Sequence, residues 1–279
     1  MTSQRTLEGR TFLISGGSRG IGLAIALRAA QDGANIVLLA KTDQPHPRLP
    51  GTVHTAADEI LAAGGHALAV VGDVREDGDI ERAVAAAVEA FGGIDAVINN
   101  ASAIDLSRTT DLDPKRYDLM ADVNVRGTFM LTRAALPHLL RSENPHILTL
   151  SPPLNLAPRW LGAHVGYMLA KYAMTLATLG FAEEFAADGV AANTLWPRTT
   201  IATAAVQNLL GGDRLMAVSR TPQIYADAAY LVLTAQATEM TGKSLLVEDV
   251  LAEAGITDLA KYAAVPGTPD SALFPDIFL

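Results

Sequence analysis

The stretch Ser15-Gly16-Gly17-Ser18-Arg19-Gly20-Ile21-Gly22 lies between a short apolar run, residues 11–15, and an Ala-rich segment, residues 21–31. The first run has the length and composition of a buried β-strand, and the second has apolar residues at helical spacing. A glycine-rich turn from a strand into a helix leaves backbone N–H groups at the helix N-terminus, where the phosphates of a dinucleotide can bind. A tight turn without a ligand is the alternative, but the position directly after the first strand favours phosphate binding.

Strand and helix signals alternate along the rest of the chain. Segments with helical spacing, such as 79–91 and 167–185, separate the apolar runs. The further candidate strands are residues 35–40, 67–71, 94–98, 146–150, 190–195 and 244–247. Because these strands are apolar on both faces, the pattern predicts an α/β fold: a single doubly wound domain with a parallel sheet of about seven strands flanked by helices.

Composition and charge exclude several classes of function. The net charge of −9 opposes binding to nucleic acids and anionic lipid surfaces. The chain has no cysteine, so disulfides and thiolate chemistry are excluded. No run approaches the ~20 apolar residues that span a membrane, and the N-terminus lacks an apolar signal core, so we expect a cytoplasmic protein without membrane insertion. We expect one dinucleotide-binding domain over residues 1–256 and a Pro-rich tail, 257–279, packed on that domain or on a neighbouring subunit.

Several further motifs follow the glycine turn in a fixed order. They are Asp73 in GDV, Asn99-Asn100-Ala101, Asn124 in DVNVRG, Tyr167 with Lys171, and residues 193–197 before a Thr-rich loop. Together they resemble the short-chain dehydrogenase/reductase family over residues 10–250, with Ser15 in place of the Thr of its TGxxxGxG fingerprint. The resemblance implies a Rossmann fold and hydride transfer between a nicotinamide and a carbonyl or secondary alcohol.

The stretches AKTDQPHPRLPGT, LSPPLNLAP and NTLWPRTTIATAA and the C-terminal residues resemble the hydroxysteroid dehydrogenase-like protein 2 subgroup of that family. This resemblance implies a lipid-like carbonyl or alcohol substrate. Association into a homodimer or homotetramer is also implied, through the helices that begin near Pro114 and Tyr167.

The resemblance also implies a set of cofactor-binding residues. They are Gly16, Ser18, Arg19, Gly20, Ile21, Gly22, Lys41, Asp73, Val74, Asn100, Ala101, Tyr167, Lys171, Pro197 and Ile201. The residue that ends the second strand reads the adenosine ribose in dinucleotide folds. Lys41 holds that position and suits a 2′-phosphate, which Arg19 can also approach, so we predict NADP. The alternatives are that both cations are solvated surface charges, or that Asp43 serves NAD.

Tyr167 and Lys171 are four residues apart and therefore share one face of a helix. In the family that the chain resembles, the tyrosine is the general acid/base, and the lysine makes its phenolate accessible and holds the nicotinamide ribose. The resemblance assigns Asn124 to a water that relays protons to the lysine, whereas the alternative is a helix-bending residue.

The family's catalytic serine falls on Pro152 when it is aligned from the strand, or on Leu154 when it is counted back from Tyr167. Neither side chain can donate a hydrogen bond. Ser151 and Asn155 are the candidate substitutes, although strand alternation turns Ser151 to the opposite face unless Pro152 bends the chain. Loss of such a donor costs ~10²-fold or more in rate.

Residues 200–220 occupy the position of the family's substrate lid. Their apolar side chains, Ile201, Val206, Leu209, Leu210, Leu215 and Met216, predict either a pocket wall or an ordinary amphipathic helix. Trp160, Trp196 and His164 are further candidate pocket residues, and we expect no metal site because His164 has no partner at ligand spacing.

The competing functions are an NADP(H)-binding sensor or scaffold, favoured by Pro152, and a non-redox enzyme on the same scaffold.

Overall fold

A computed structural model describes residues 6–46 and 49–279. Within these residues the chain forms one seven-stranded parallel sheet with the order β3-β2-β1-β4-β5-β6-β7. The strands are β1 (Thr11–Ser15), β2 (Asn35–Ala40), β3 (His66–Val71), β4 (Ala96–Asn99), β5 (His146–Thr149), β6 (Ala191–Trp196) and β7 (Ser244–Leu246). The predicted parallel α/β architecture is therefore confirmed, with strand ends displaced by two residues or fewer.

Helices cover both faces of the sheet. They are α1 (Gly20–Ala30), α2 (Val53–Ala62), α3 (Asp77–Phe91), α4 (Pro114–Met120), α5 (Gly127–Leu139), α6 (Pro158–Leu161), α7 (Val165–Glu184), α8 (Gly212–Ala217), α9 (Pro222–Thr234) and α10 (Val247–Glu253). A π-helical turn, Ala121–Arg126, joins α4 to α5, and a second one, Val206–Leu210, precedes α8.

Side-chain alternation along the strands divides the core into two layers. Phe12 and Ile14 of β1 pack on the side of α1, α2, α9 and α10, whereas Leu13 packs on the side of α3, α5 and α7. All three are fully buried. A strand with apolar residues in every position is what a sheet covered on both faces requires.

The strand order reverses beside β1, because β2 and β3 lie on one side of it and β4 to β7 lie on the other. Such a reversal opens a crevice at the carboxyl ends of the central strands, which is where ligands bind in open α/β sheets. The glycine turn after β1 and the residues after β4 therefore meet at this edge.

The C-terminal residues return to the same edge. The N–H of Thr200 donates to the Phe274 carbonyl (3.0 Å), and the N–H of Asp276 donates to the Arg198 carbonyl (2.9 Å). Phe278 is fully buried with a φ of +73°, a left-handed conformation that bulky residues rarely adopt.

In the described part of the chain, no helix has both the length and the apolar character needed to cross a bilayer.

Candidate active site

A cavity of about 930 Å³ opens at the carboxyl edge of the sheet. Every predicted cofactor residue except Gly22 lines it: Gly16, Ser18, Arg19, Gly20, Ile21, Lys41, Asp73, Val74, Asn100, Ala101, Tyr167, Lys171, Pro197 and Ile201. Residues that are distant in sequence thus share one crevice, because β1 to β6 all end there. Within the described residues, no group of His, Cys, Asp or Glu side chains is arranged to hold a metal ion.

The glycine turn is locked against the end of β4. The Ser15 hydroxyl accepts hydrogen bonds from the N–H groups of Asn100 and Ala101, both at 3.1 Å. The Asn100 amide donates in return to the carbonyls of Ser15 and Gly16, both at 2.9 Å. A Cβ on Gly22 would lie 2.5 Å from this amide nitrogen, so Gly22 allows the close packing and does not itself face the cavity.

The N-terminus of α1 meets the chemical requirements of a phosphate site. The first N–H groups of a helix have no partner within the helix, and here the side chain of Arg19 does not cap them. The first turn also contains no acidic residue, and Gly20 and Ile21 line the cavity. Uncapped N–H groups and the positive end of the helix dipole favour an anion at this point.

The end of the crevice nearest β2 carries two cationic side chains, Lys41 and Arg19. Lys41 lies exposed at the end of β2 and lines the cavity. Arg19 donates from Nε to the Pro50 carbonyl (2.9 Å) and from Nη2 to the Gly51 carbonyl (2.6 Å), which ties the Pro-rich loop to the glycine turn.

The two carboxylates near this end are already engaged. Asp43 binds His54 Nε2 (2.7 Å) and Gln44, and it does not line the cavity. Asp73 does line the cavity, and its carboxylate accepts from the Arg75 guanidinium (2.8 Å).

Tyr167 and Lys171 lie one turn apart on α7, and both line the cavity while their side chains are buried by protein atoms. The Lys171 ammonium donates to the Leu150 carbonyl (2.7 Å) and lies 5.3 Å from the Trp196 ring centroid. Burial lowers the pKa of Lys171 to about 7, although the charge of Asp276 opposes this shift. Burial, followed by the charge of Asp276, raises the pKa of the Tyr167 phenol well above its ordinary value, and interaction with the Ser102 hydroxyl lowers it slightly.

Ser151, a predicted catalytic donor, lies outside the cavity. Its hydroxyl is fully buried beside the hydroxyl of Thr175 (2.9 Å), which in turn donates to the Pro152 carbonyl (2.7 Å). Ser151 does not line the cavity, because strand alternation turns it to the opposite face. Asn155 is also directed elsewhere, since its side chain accepts from the Ala157 N–H (3.1 Å).

Asn124 lies in the π-helical turn between α4 and α5 and is fully buried. Its side chain accepts from the Ala103 N–H (2.7 Å) and donates to the Ala103 carbonyl (2.9 Å). Asn124 does not line the cavity, so the contacts observed here position the segment that follows β4. A π-helical turn inside an α-helix is common at functional sites.

The far wall of the cavity is apolar. Ile201, Val206, Leu209, Leu210 and Leu215 line it, as does Trp196, whereas Met216, Trp160 and His164 do not. His164 Nδ1 contacts the Leu106 carbonyl (2.5 Å), and the Trp160 indole donates to the Leu279 carbonyl (2.8 Å). Sequence reasoning missed Ser102 and Asp276, which both line the cavity.

Comparisons with known proteins agree with this geometry. Residues 10–212 match the family described as short chain dehydrogenase. The chain is 53% identical over 273 residues to hydroxysteroid dehydrogenase-like protein 2 of Danio rerio and 50% identical to that of Homo sapiens. Each alignment covers 98% of this chain and 64% of the relative, so the chain spans slightly less than two-thirds of the length of these relatives.

A solved structure has the same fold along nearly the whole chain. A short chain dehydrogenase from Mycobacterium thermoresistibile is 56% identical, with a TM-score of 0.92 over 98% of this chain and 96% of that one. The chain therefore belongs to the short-chain dehydrogenase family. Within the family, it is similar to the hydroxysteroid dehydrogenase-like protein 2 group.

Proposed function

We propose that the protein is an NADP-dependent oxidoreductase that transfers hydride between the nicotinamide and a carbonyl or secondary alcohol, with Tyr167 as the general acid/base. The observation that carries this proposal is that Tyr167 and Lys171 line the same cavity as the glycine turn and Lys41. A single ligand that extends from Lys41 to Tyr167 would contact every part of this set.

Different residues along the crevice suit different parts of the cofactor. The uncapped N–H groups of α1 suit the diphosphate, and Lys41 suits a 2′-phosphate because a cation binds a dianion well. Asp43 is bound to His54 and is not among the residues that line the cavity, which supports NADP over NAD. When bound, the cofactor supplies or accepts the hydride.

Tyr167 handles the proton. Its raised pKa keeps the phenol protonated at neutral pH, which suits transfer of a proton to a carbonyl oxygen during reduction. The Lys171 ammonium is held one turn away by the Leu150 carbonyl, where its positive charge stabilises the phenolate that remains after Tyr167 gives up its proton.

The apolar wall from residues 201–215 supports a lipid-like substrate. The name of the similar relatives, hydroxysteroid dehydrogenase-like protein 2, adds steroids to the substrates that merit testing. Fluorescence titration with NADPH and NADH, followed by NADPH oxidation with medium-chain aldehydes, ketones, steroids and 3-oxoacyl thioesters, tests the proposal. We expect tighter NADPH binding and turnover with at least one carbonyl class.

A specific observation favours a second function, an NADP(H)-binding sensor or scaffold. Pro152 stands at the position of the family's serine, and Ser151 faces away from the cavity. Tight NADPH binding without oxidation by any of these carbonyls would favour this alternative.

We further propose that a second copy of the chain packs on the face formed by α4, α5 and α7. Large apolar side chains are exposed there: Tyr117, Phe129, Leu169 and Leu176. Light scattering coupled to gel filtration is expected to show a dimer or tetramer, and Leu169→Glu is expected to dissociate it. A monomeric wild-type protein would contradict this proposal.

A further inference from the structure

The site has a hydrogen-bond donor, Tyr167, for a substrate carbonyl, but the second donor of the family is replaced by Pro152. The side chains of Ser151 and Asn155 both bind elsewhere. A developing oxyanion gains a large part of its stabilisation from preorganised donors, so the question is which other group in the cavity can donate.

Asp276 is in position to do so. It lines the cavity with Tyr167 and Lys171, and its charge acts on the pKa of both. Its backbone N–H donates to the Arg198 carbonyl (2.9 Å), and its Oδ1 accepts from the Ile277 N–H (2.7 Å). These two hydrogen bonds therefore hold the Asp276 carboxyl at the cavity that Tyr167 also lines.

The residues that follow Asp276 anchor it. The Trp196 indole donates to the Ile277 carbonyl (3.1 Å), and the Phe278 ring is enclosed by Trp160, Tyr167 and Tyr172. The cost of the left-handed backbone at Phe278 is offset by this burial. A donor needs such fixed placement to act on a transition state.

The surroundings favour the protonated form of this carboxyl. The pKa of Asp276 is raised to about 7: burial is the main cause, the Ile277 N–H lowers the pKa, the Glu248 charge on α10 raises it, and the Lys171 charge on α7 lowers it. Tyr167 and Tyr225 also face it, and both are protonated at neutral pH because burial raises the pKa of each phenol. Because the pKa of Asp276 lies near 7, a substantial fraction of the protein carries a proton on this carboxyl at neutral pH, and most of it does at pH 6.

We propose that Asp276 takes the place of the missing serine and donates a hydrogen bond to the substrate oxygen. In carbonyl reduction, the carbon gains the hydride of the reduced nicotinamide, the oxygen gains the Tyr167 proton, and Asp276 keeps its own proton. The alcohol forms and the tyrosinate is reprotonated from solvent. This inference rests on the proposed function.

The test compares Asp276→Asn with Asp276→Leu, two variants of similar shape of which only the first can donate. At pH 6, we expect Asp276→Leu to lower kcat ~10²-fold with unchanged KM and unchanged NADPH affinity. We expect Asp276→Asn to stay within a few-fold of wild type. Asp258→Leu, in the same tail and outside the cavity, is the matched control and is expected to retain wild-type kcat.

Wild-type kcat in Asp276→Leu would overturn the inference alone, as would an Asp276→Asn variant as slow as Asp276→Leu. If Asp276→Leu does not fold, Asp276→Ala is the second variant without a donor, and its comparison with Asp276→Asn decides. A wild-type protein that binds NADPH but reduces no carbonyl would contradict the proposed function and this inference with it.

Discussion

The Phe278 ring lies against the Tyr167 ring, with centroids 6.1 Å apart and planes inclined by 28°. The tail thus packs directly on the proposed acid/base. Because Phe278 is fully buried, Phe278→Ala should lower the free energy of unfolding by about 3 kcal/mol and reduce kcat. Urea denaturation and steady-state kinetics measure these effects. Phe274→Ala removes a half-exposed ring from the same segment, and equal stability of the two variants would contradict the packing described.

Replacement of Tyr167 by Phe removes the proposed proton donor and preserves the ring. We expect kcat to fall at least ~10²-fold, because general acid catalysis typically contributes 10²- to 10⁴-fold. Fluorescence titration should show retained NADPH binding, since the phosphates bind elsewhere in the crevice. Tyr117→Phe, on α4, is the control with the same chemistry, and an active Tyr167→Phe protein would remove the basis of the mechanism.

Lys41 is predicted to select the cofactor. Lys41→Asp should lower kcat/KM for NADPH about 100-fold and improve use of NADH, since a carboxylate repels a phosphate and accepts hydrogen bonds from a ribose diol. Initial rates with each reduced cofactor at matched concentration give the ratio. Lys243→Asp, which makes the same charge change outside the cavity, is the control and should keep the wild-type cofactor preference. An unchanged preference in Lys41→Asp would refute this role.

Ser151 is expected to matter for stability and not for turnover. Its hydroxyl pairs with that of Thr175 in the interior, so Ser151→Ala should cost about 1 kcal/mol of unfolding free energy. The value of kcat should remain within two-fold of wild type. Urea denaturation beside steady-state assays separates the two effects, and a large loss of kcat at full stability would restore Ser151 as a catalytic residue.

Acid should destabilise the protein through His146. Burial, with the Arg10 charge, lowers the pKa of this fully buried histidine from 6.5 to about 3. The unfolded chain therefore binds a proton more readily than the folded protein, and stability that is complete above pH 6.5 is lost as the pH falls towards 3. At pH 5 the loss amounts to about 2 kcal/mol.

His146→Gln should reduce this acid sensitivity, even if it lowers stability at neutral pH. Urea denaturation between pH 7 and 5 measures the slope, and His66→Gln is the exposed control. Equal slopes for wild type and His146→Gln would contradict the buried neutral imidazole.

The sequence predicted those parts of the site that follow from short-range patterns. The apolar runs fix the strands, and the carboxyl end of each parallel strand lies at one edge, which is why Lys41, Asp73 and Asn100 meet there. Tyr167 and Lys171 share a face because helical spacing requires it. Strand alternation also predicts that the Ser151 side chain points to the face opposite the site, unless a bend at Pro152 turns it back.

Asp276 and Phe278 could not be predicted in the same way. Their placement depends on tertiary contacts with Arg198, Trp196 and Trp160, and the Pro-rich tail has no periodicity that indicates where it will pack. The hydrogen-bond partner of Asn124 could not be predicted either, because a buried amide pairs with whichever backbone group the fold brings near it.

Residues 274–276 form backbone hydrogen bonds with residues 198–200 and line the cavity. This part of the cavity wall is therefore formed by the tail and not by the seven strands of the sheet. Exchange of Phe274 and Pro275, with Asp276 kept, would therefore alter the shape around a bound carbonyl while the dinucleotide crevice stayed intact. The fold offers a compact region for grafting new substrate preferences, with Phe278 retained as the attachment point.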